Sequence, residues 1–296
     1  MSTSTSIHAY VPKSSTGVSK SPAATVLRPR RGWQPIDLAA IWRYRDLVSL
    51  LAMRDVKVRY KQTAFGALWA VIQPFAMMVV LSIFFGRVID IDMENKTSGI
   101  PYPIFLYSGL LPWTFFSAAV TASTNSLVSN ANLLRKVYFP RLIVPLAAVG
   151  APLVDYFVAS GVLLALMVWY GVVPTMALLL LPVFVLVTIV AALGVGIGLS
   201  GITVSFRDFR YVVPFMIQVW FFVTPVIWPV TIVDNKYHWL LRLNPMGGTI
   251  EAFRAAVLGT PIDVGALLLS SGVAVVILLV GLMYFGYAEK RFADVV

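Results

Sequence analysis

The sequence predicts an all-α, polytopic membrane protein. Of its 296 residues, 59% are hydrophobic and only 12% are charged, and the mean hydropathy of +0.84 lies well above that of soluble domains. A membrane-spanning helix needs roughly 20 mostly apolar residues. Six stretches meet this requirement, at about 67–89, 103–126, 142–169, 175–204, 211–229 and 264–287.

Charge predicts how these six spans are oriented, because cytoplasmic segments beside spans carry excess Lys and Arg. With both termini cytoplasmic, the inner side holds 11 basic residues within 1–66, 3 within 132–141, 2 at 207 and 210, and 2 at 290 and 291. That is 18 of 23, so only 5 fall outside. The net charge of +10 therefore needs no nucleic-acid partner. The basic side is expected to face anionic membrane lipid or an anionic lipid-linked substrate.

Two segments precede the first span. Residues 1–35 are rich in Ser, Thr, Pro and basic residues and lack the apolar core of a signal peptide, which predicts a disordered cytoplasmic tail. Residues 36–62 predict an amphipathic helix lying along the inner leaflet. Its polar side carries Arg43, Asp46, Arg54, Lys57 and Lys61, and its apolar side carries Ile41, Tyr44, Val48 and Leu51. Leu50 and Asp55 interrupt the pattern, so we expect a bend near residue 52. A simple positively charged anchor remains an alternative.

A short basic and aromatic segment, residues 132–141, connects the second and third spans. A plain chain reversal needs only a few polar residues, whereas this segment alternates charge with large apolar side chains. Such a pattern is typical of an intracellular helix that docks into a partner's groove. The predicted contact residues are Asn132, Leu133, Leu134, Arg135, Lys136, Tyr138, Phe139 and Arg141.

The outer segment between the fifth and sixth spans, about 230–263, is too long for a tight turn and too apolar for a solvated loop. Thr249 predicts a helix start, Glu251 lies in the first turn, and Gly259 predicts the stop. A helix of about 10 residues is less than half a span, and such helices are tolerated at membrane depth when protein covers them. We therefore predict a re-entrant hairpin that plugs the outer mouth of a pathway. A helix lying flat on the outer leaflet is the alternative.

Asp155 is the only ionisable residue in the middle of a predicted span. A charge there costs several kcal/mol unless it is paired or hydrated, so both a transport role and a structural hydrogen bond to a neighbouring helix stay open. Aromatic residues crowd the first, second and fifth spans. They fit either an interfacial belt or the lining of a path on which sugar rings stack. The candidate lining residues are Phe84, Phe85, Phe215, Trp220, Phe221 and Phe222.

Motifs for nucleotide and metal chemistry are missing from the sequence. There is no GxxxxGK[ST] loop, there is no cysteine, and the two histidines lie far apart. Residues 196–201 match GxGxxG, but they sit inside an apolar run without a strand-turn-helix context. Gly194 and Gly198 fit close helix packing better. We expect no catalytic residue, no metal site and no cofactor in this chain.

Several motifs follow one another along the chain: residues 54–63 followed by 66–70 and Gln73-Pro74, then 133–141, Val154-Asp155, 205–208 and 243–246. Together they resemble the membrane subunit of polysaccharide ABC exporters, the type-2 ABC permeases that export O-antigen, teichoic acid and related glycans. The resemblance covers about residues 36–290 and leaves out the first 35.

The resemblance implies a homodimer in the bacterial inner membrane, bound to two copies of a separate ABC ATPase that carries the ATP and Mg²⁺. The cargo would be a polyprenyl-diphosphate-linked glycan. The inner gate, near the entrance for the lipid diphosphate, would contain Arg54, Lys57, Arg59 and Lys61. Residues 132–141 would couple to the ATPase. The outer gate would contain Asn244, Pro245, Glu251, Phe253 and Arg254.

Two other functions compete with this one. A drug or lipid exporter of the same superfamily would share the spans but would explain the basic gate less readily. A membrane-embedded glycosyltransferase or phosphatase needs clustered carboxylates, histidines or metal ligands on a loop. The inner loops offer only Asp208 beside Arg207 and Arg210.

Overall fold

A computed structural model describes residues 38–61, 65–85, 97, 99–206 and 208–289. The predicted tail, the C-terminal residues 291–296 and Arg207 lie outside the described residues. All regular structure in the described part is helical, as predicted. The α-helices are α1 (Leu38–Arg43), α2 (Arg45–Lys61), α3 (Leu68–Ile83), α4 (Tyr102–Ser129), α5 (Ala131–Lys136), α6 (Ile143–Ala148), α7 (Gly150–Trp169), α8 (Leu181–Ser205), α9 (Phe209–Val223), α10 (His238–Arg242), α11 (Gly247–Leu258) and α12 (Val264–Glu289). Short 3₁₀ helices occupy Met176–Leu180, Val230–Ile232 and Asn235–Tyr237.

Four helical segments within the described residues are long and apolar enough to cross a membrane: Tyr102–Ser129, Ile143–Trp169, Met176–Ser205 and Val264–Glu289. They match four of the six predicted spans to within three residues at each end. The other two predicted spans correspond to shorter apolar helices, α3 and α9. Helix α9 ends at Val223 rather than near residue 229, because Pro225 disfavours helical backbone at Thr224, which is extended. Six full-length spans are therefore not confirmed.

Helix α4 is the central element of the fold, because 78% of its apolar 18-residue stretch is buried inside the protein. It packs against α3, α7, α8 and α11. Helix α12 packs along α8. Gly194 and Gly198, the glycines predicted to allow close packing, lie at this contact. A Cβ atom on Gly281 would collide with the carbonyl oxygen of Gly194, and Gly198 faces the Cα of Gly281. The prediction for Gly194 and Gly198 is confirmed.

Helix α2 lies against the protein core along its apolar side. Leu51 is buried together with Leu127, Phe139 and Ile143, and Ile41, Tyr44 and Val48 pack against the same cluster. The predicted apolar side is therefore confirmed, and much of it contacts α6 and α7. The helix has no break near residue 52, where a bend was expected. The helix is continuous from Arg45 to Lys61, and the break lies at Tyr44. Leu50 is exposed and Asp55 is paired with Arg54, so neither residue disturbs the packed side.

Helix α11 is the short helix predicted between the last two spans. It ends at Gly259, whose φ of 73° is the left-handed conformation typical of a glycine helix stop. The predicted start at Thr249 is wrong, because the helix begins two residues earlier and the Thr249 hydroxyl donates to the Pro245 carbonyl. Most of α11 is buried against α4, α8 and α12.

Candidate functional site

Two arginines of α2, Arg54 and Arg59, form specific pairs. Arg59 forms an ion pair with Asp155 of α7 at 2.7 Å, and only 15% of the Asp155 side chain is exposed. The intramembrane carboxylate identified in the sequence is therefore paired. Because an unpaired charge at such a site costs several kcal/mol, the pair explains how α7 tolerates Asp155.

Tyr60 reinforces this pair. Its hydroxyl donates a hydrogen bond to the second carboxylate oxygen of Asp155. Burial, with added contributions from the hydrogen bond and the negative charge of Asp155, raises the pKa of Tyr60 to about 12. The phenol thus stays protonated at physiological pH and keeps its donor role.

Arg54, five residues before Arg59 on the same helix, links α2 to the end of α4. Its guanidinium donates to Asp55 at 2.8 Å and to the Asn130 side-chain oxygen at 2.6 Å. Asn130 is the residue between α4 and α5, and its amide nitrogen donates back to the Ser126 carbonyl. Helix α2, which carries the predicted inner-gate residues, is therefore hydrogen-bonded directly to Asn130, two residues before the predicted coupling segment.

These residues border a cleft of about 1010 Å³ between α2, α3, α4 and α7. Arg54, Arg59 and Tyr60 lie on one wall, and Trp69 and Gln73 of α3 lie on another. The other two basic residues of the predicted gate, Lys57 and Lys61, are exposed. The volume of the cleft is at the upper end of the range for sites that bind small molecules. Its walls combine cationic, hydroxyl and aromatic side chains.

The predicted coupling segment divides into a buried and an exposed side. Phe139 is 5% exposed and belongs to the same core cluster as Leu51, with Leu133 and Leu134 packed against it. Asn132, Arg135, Lys136 and Tyr138 are exposed, and Tyr138 is 82% exposed. The predicted coupling segment is thus anchored by Leu133, Leu134 and Phe139 and presents Arg135, Lys136 and Tyr138 outward.

Arg141 ties the same segment to the last helix. Its guanidinium donates to the Glu289 carbonyl at 3.3 Å, at the C-terminal end of α12. Helix C-termini have unsatisfied carbonyls and a partial negative charge, so an arginine stabilises them.

At the opposite end, Asn244 holds the start of α11. Its side-chain oxygen accepts hydrogen bonds from the Met246 backbone N–H at 3.1 Å and from the Trp220 indole at 3.2 Å. Its amide nitrogen donates to the Thr224 hydroxyl at 2.8 Å. One side chain therefore ties the turn before α11 to the end of α9, while Pro245 supplies the carbonyl that Thr249 uses.

Arg254 of α11 is a buried arginine, 6% exposed. Its Nη2 donates to the carbonyls of Pro225 at 3.1 Å and Val226 at 2.8 Å, and its Nε donates to the Phe105 carbonyl at 3.2 Å. The guanidinium also lies 3.8 Å from the centre of the Phe105 ring. The arrangement pins α11 to α4 and to the turn after α9. Gly109 leaves the necessary space, because a Cβ atom there would collide with Arg254.

The remaining outer-gate residues differ in setting. Phe253 is buried, and its ring meets the ring of Phe184 edge to face with 6.3 Å between the two centroids. Phe253 is therefore part of the hydrophobic core. Glu251 lines a small pocket of about 190 Å³ beside His238 and the Arg242–Asp263 ion pair of 2.9 Å. The Ala266 backbone N–H, together with Arg242, holds the pKa of Asp263 below its usual range.

The candidate channel aromatics fall into two groups. Trp220 and Phe221 lie inside a cluster with Trp113 and Phe116 of α4, at centroid distances of 5.3 to 6.5 Å. Phe85 is half-buried against Tyr102. Phe84, Phe215 and Phe222 are exposed apolar surface. The first group builds the helix packing, whereas the second is available to a partner, a lipid or a substrate.

Sequence reasoning missed three features of the site: Asn130, Tyr60 as a partner of Asp155, and a row of small polar residues on α4 that lines the cleft. The row has a sequence signal, since Thr114, Ser117, Thr121, Asn125 and Ser129 recur every three or four residues in an apolar helix. In the described part of the chain, no three His, Cys, Asp or Glu side chains converge as a metal site.

Comparison with known proteins adds an independent line of evidence. The O-antigen export system permease protein RfbA of Myxococcus xanthus is 30% identical over 257 residues, which cover 86% of this chain and 96% of the relative. The protein of the same name from Klebsiella pneumoniae is 27% identical, covering 84% and 95%. The polysialic acid transport protein KpsM of Escherichia coli is 26% identical, covering 71% and 81%.

The family match covers both ends of the site. The family described as ABC-2 type transporter matches residues 46–258, which include α2, the coupling segment, Asp155 and α11. The resemblance inferred from the sequence motifs is confirmed by this match and by the relatives. The chain is a member of the ABC-2 type transporter family.

Proposed function

We propose that the chain is the membrane subunit of an ATP-driven exporter that moves a polyprenyl-diphosphate-linked polysaccharide out of the bacterial cytoplasm. It sits in the inner membrane as a homodimer with both termini inside, and two copies of an ABC ATPase supply ATP hydrolysis with Mg²⁺. The observation that carries the proposal is the correspondence with O-antigen export permeases over 95% and 96% of their length.

The inner side of the proposed pathway is the cleft beside α2. Its mouth carries Arg54 and Arg59, and arginine binds phosphate oxygens well because its guanidinium offers several donors in a fixed plane. Both are already paired, with Asp55 and with Asp155. A diphosphate that binds there therefore competes with these carboxylates, while exposed Lys57 and Lys61 remain available to attract it.

The coupling to the ATPase uses the exposed side of residues 132–141. Exposed Arg135, Lys136 and Tyr138 offer charge and aromatic surface to a partner groove. The Arg54–Asn130 hydrogen bond supports a direct mechanical connection, because a displacement of α5 pulls on the inner gate.

The outer side is closed by the re-entrant segment that contains α11. Its polar backbone groups are satisfied by protein, as the low dielectric of a membrane requires. The exposed aromatics Phe84, Phe215 and Phe222 are suited to line a passage between two copies, where sugar rings stack on them. ATP-driven closure of the partner subunits then shifts α5, moves α2, and opens the passage stepwise to the glycan.

The decisive experiment is depletion of this protein in its host, followed by quantification of surface glycan and of polyprenyl-linked glycan inside the cell. Loss from the surface with accumulation inside is the expected result. An unchanged surface with a normal lipid-linked pool would overturn the proposal, and transport of a small dye or lipid by the purified complex would then be measured instead.

A further inference from the structure

A polar row runs along one face of α4. Thr114, Ser117, Thr121, Asn125 and Ser129 lie three or four residues apart, so they share one side of the helix over about 22 Å. All of them line the cleft beside α2. Ala118 and Ala122 lie between them, and their small side chains keep this wall open.

The hydroxyl hydrogens of Thr114, Ser117 and Thr121 are used within the helix, so these oxygens remain as acceptors for the cleft. The hydroxyls of Thr114, Ser117 and Thr121 donate to the carbonyls of Leu111, Thr114 and Ser117, at 3.0, 3.2 and 2.8 Å. The Asn125 amide nitrogen donates to the Thr121 carbonyl at 3.0 Å. With these donors used within the helix, the side-chain oxygens retain lone pairs for a ligand.

This chemistry selects between the two parts of a lipid-linked glycan. An ionised diphosphate only accepts hydrogen bonds, so it does not suit a wall of acceptors, but it suits the guanidinium groups of Arg54 and Arg59 at the cleft mouth. Sugar hydroxyls are donors and suit the oxygens of the row. Trp69 adds an exposed aromatic face on the opposite wall, against which a sugar ring can stack.

We propose that the polar row of α4 is a sugar-binding furrow within a single protomer. The first sugars next to the diphosphate donate their hydroxyl hydrogens to Ser117, Thr121 and Asn125 while the diphosphate remains at the arginines. The volume of about 1010 Å³ lies at the upper end of small-molecule sites, which suits a short run of sugars. This inference rests on the proposed function and specifies where its cargo is held.

Cysteine accessibility tests the furrow, since the chain contains no cysteine. Ser117→Cys, Thr121→Cys and Asn125→Cys are made singly in the full complex, and inverted membrane vesicles are treated with a charged, membrane-impermeant thiol reagent. Leu164→Cys, on the exposed apolar surface of α7, is the control. We expect the three row positions to react and the control to stay unmodified. Because back-bonded hydroxyls are also tolerated on lipid-facing helices, a row as unreactive as the control would overturn the proposal.

Protection by cargo tests the ligand class. Two kinds of vesicle are compared. The first comes from a host whose partner ATPase is inactivated, so that lipid-linked glycan accumulates. The second comes from a host that makes no such glycan. The expected result is that modification of the row slows severalfold with glycan present, because bound glycan covers the thiols. Equal rates in both hosts would overturn the sugar assignment. If depletion of the protein still abolishes export in that case, the proposed function stands and only the furrow is wrong.

A substitution tests the same point through export. Thr121→Val keeps the side-chain shape and removes the acceptor oxygen, so we expect export to fall about fivefold at normal protein levels. Thr188→Val is the matched control, because Thr188 makes the same kind of bond to its own helix, at 2.8 Å, but is buried on α8 away from the cleft. Equal export by the two variants would contradict the assignment.

Discussion

Arg59 of α2 and Asp155 of α7 form an ion pair of 2.7 Å across 96 residues of sequence, and Tyr60 binds the same carboxylate. The helix that precedes the apolar part of the chain is therefore fixed to it by charge as well as by its buried apolar side. Any movement of α2 during transport has to break this pair or carry α7 with it.

The pair should contribute measurably to stability. Because Asp155 is largely shielded while Arg59 is about half exposed, we expect a coupling energy of about 1 kcal/mol in a double-mutant cycle of Arg59→Met and Asp155→Asn. The measurement is unfolding of the purified protein in mixed micelles. The exposed Arg45–Asp46 pair, at 3.9 Å, is the control and should show a coupling near zero. Equal coupling in both pairs would contradict the role of burial.

The Arg54–Asn130 hydrogen bond should matter for coupling more than for ATP hydrolysis. Asn130→Ala removes the acceptor that connects the gate segment to α5. We expect the purified complex to hydrolyse ATP near the parent rate while export in cells falls severalfold, because in the proposed mechanism a movement of α5 would then no longer displace α2. Both activities are measured on the same variant.

The control for this experiment is Asn235→Ala, which replaces an exposed asparagine in the short 3₁₀ helix before α10. It should leave export and ATP hydrolysis unchanged. Full export by Asn130→Ala would show that the hydrogen bond does not transmit the movement.

The sequence predicted the fold class and four of the long helices because hydropathy and helix length are local properties. The end of α11 at Gly259 was predictable for the same reason. The sequence also identified Asp155 as unusual, since a charge in an apolar run is visible without any structure.

The partners of those residues were not predictable. Nothing local connects Asp155 with Arg59 and Tyr60, or Asn130 with Arg54, because these contacts depend on how α2 folds back onto α4 and α7. The same holds for Phe253, because no local pattern indicates its contact with Phe184 of α8. Pairings of distant segments are set by packing rather than by pattern.

Adjacent residues of the coupling segment should respond in opposite ways to truncation. Tyr138 is 82% exposed and Phe139 is 5% exposed. Tyr138→Ala should leave stability unchanged and weaken the association with the ATPase, because an exposed aromatic is a favoured contact at interfaces. Phe139→Ala should lower stability by about 3 to 5 kcal/mol through loss of core packing.

The measurements are thermal unfolding in detergent and co-purification of the ATPase. If Tyr138→Ala co-purifies the ATPase as well as the parent does, the exposed side of the segment is not the docking surface. Because the two residues are neighbours in sequence, a general disturbance of the loop would affect both variants alike, and the expected divergence excludes it.

Arg254 should be the residue whose loss damages the outer region most. Arg254→Met removes donors to three carbonyls, of Phe105, Pro225 and Val226, in a buried setting. Leaving buried carbonyls without donors costs on the order of 3 kcal/mol. Arg254→Lys should recover only part of this, because an ammonium group lacks the planar fork that reaches all three carbonyls and stacks on the Phe105 ring.

The matched control is Arg242→Met, which removes a half-exposed arginine with one carboxylate partner in the same outer region. It should cost less than about 1 kcal/mol. Thermal unfolding of the three variants is the measurement. We expect Arg254→Met to be the least stable, Arg254→Lys to be intermediate and Arg242→Met to be the most stable. If the lysine variant matches the parent, charge alone suffices and the geometry of the three carbonyls is not what holds α11. If the order is found, the hydrogen bonds of the Arg254 guanidinium to three carbonyls are what fix α11 to α4 and to the turn after α9.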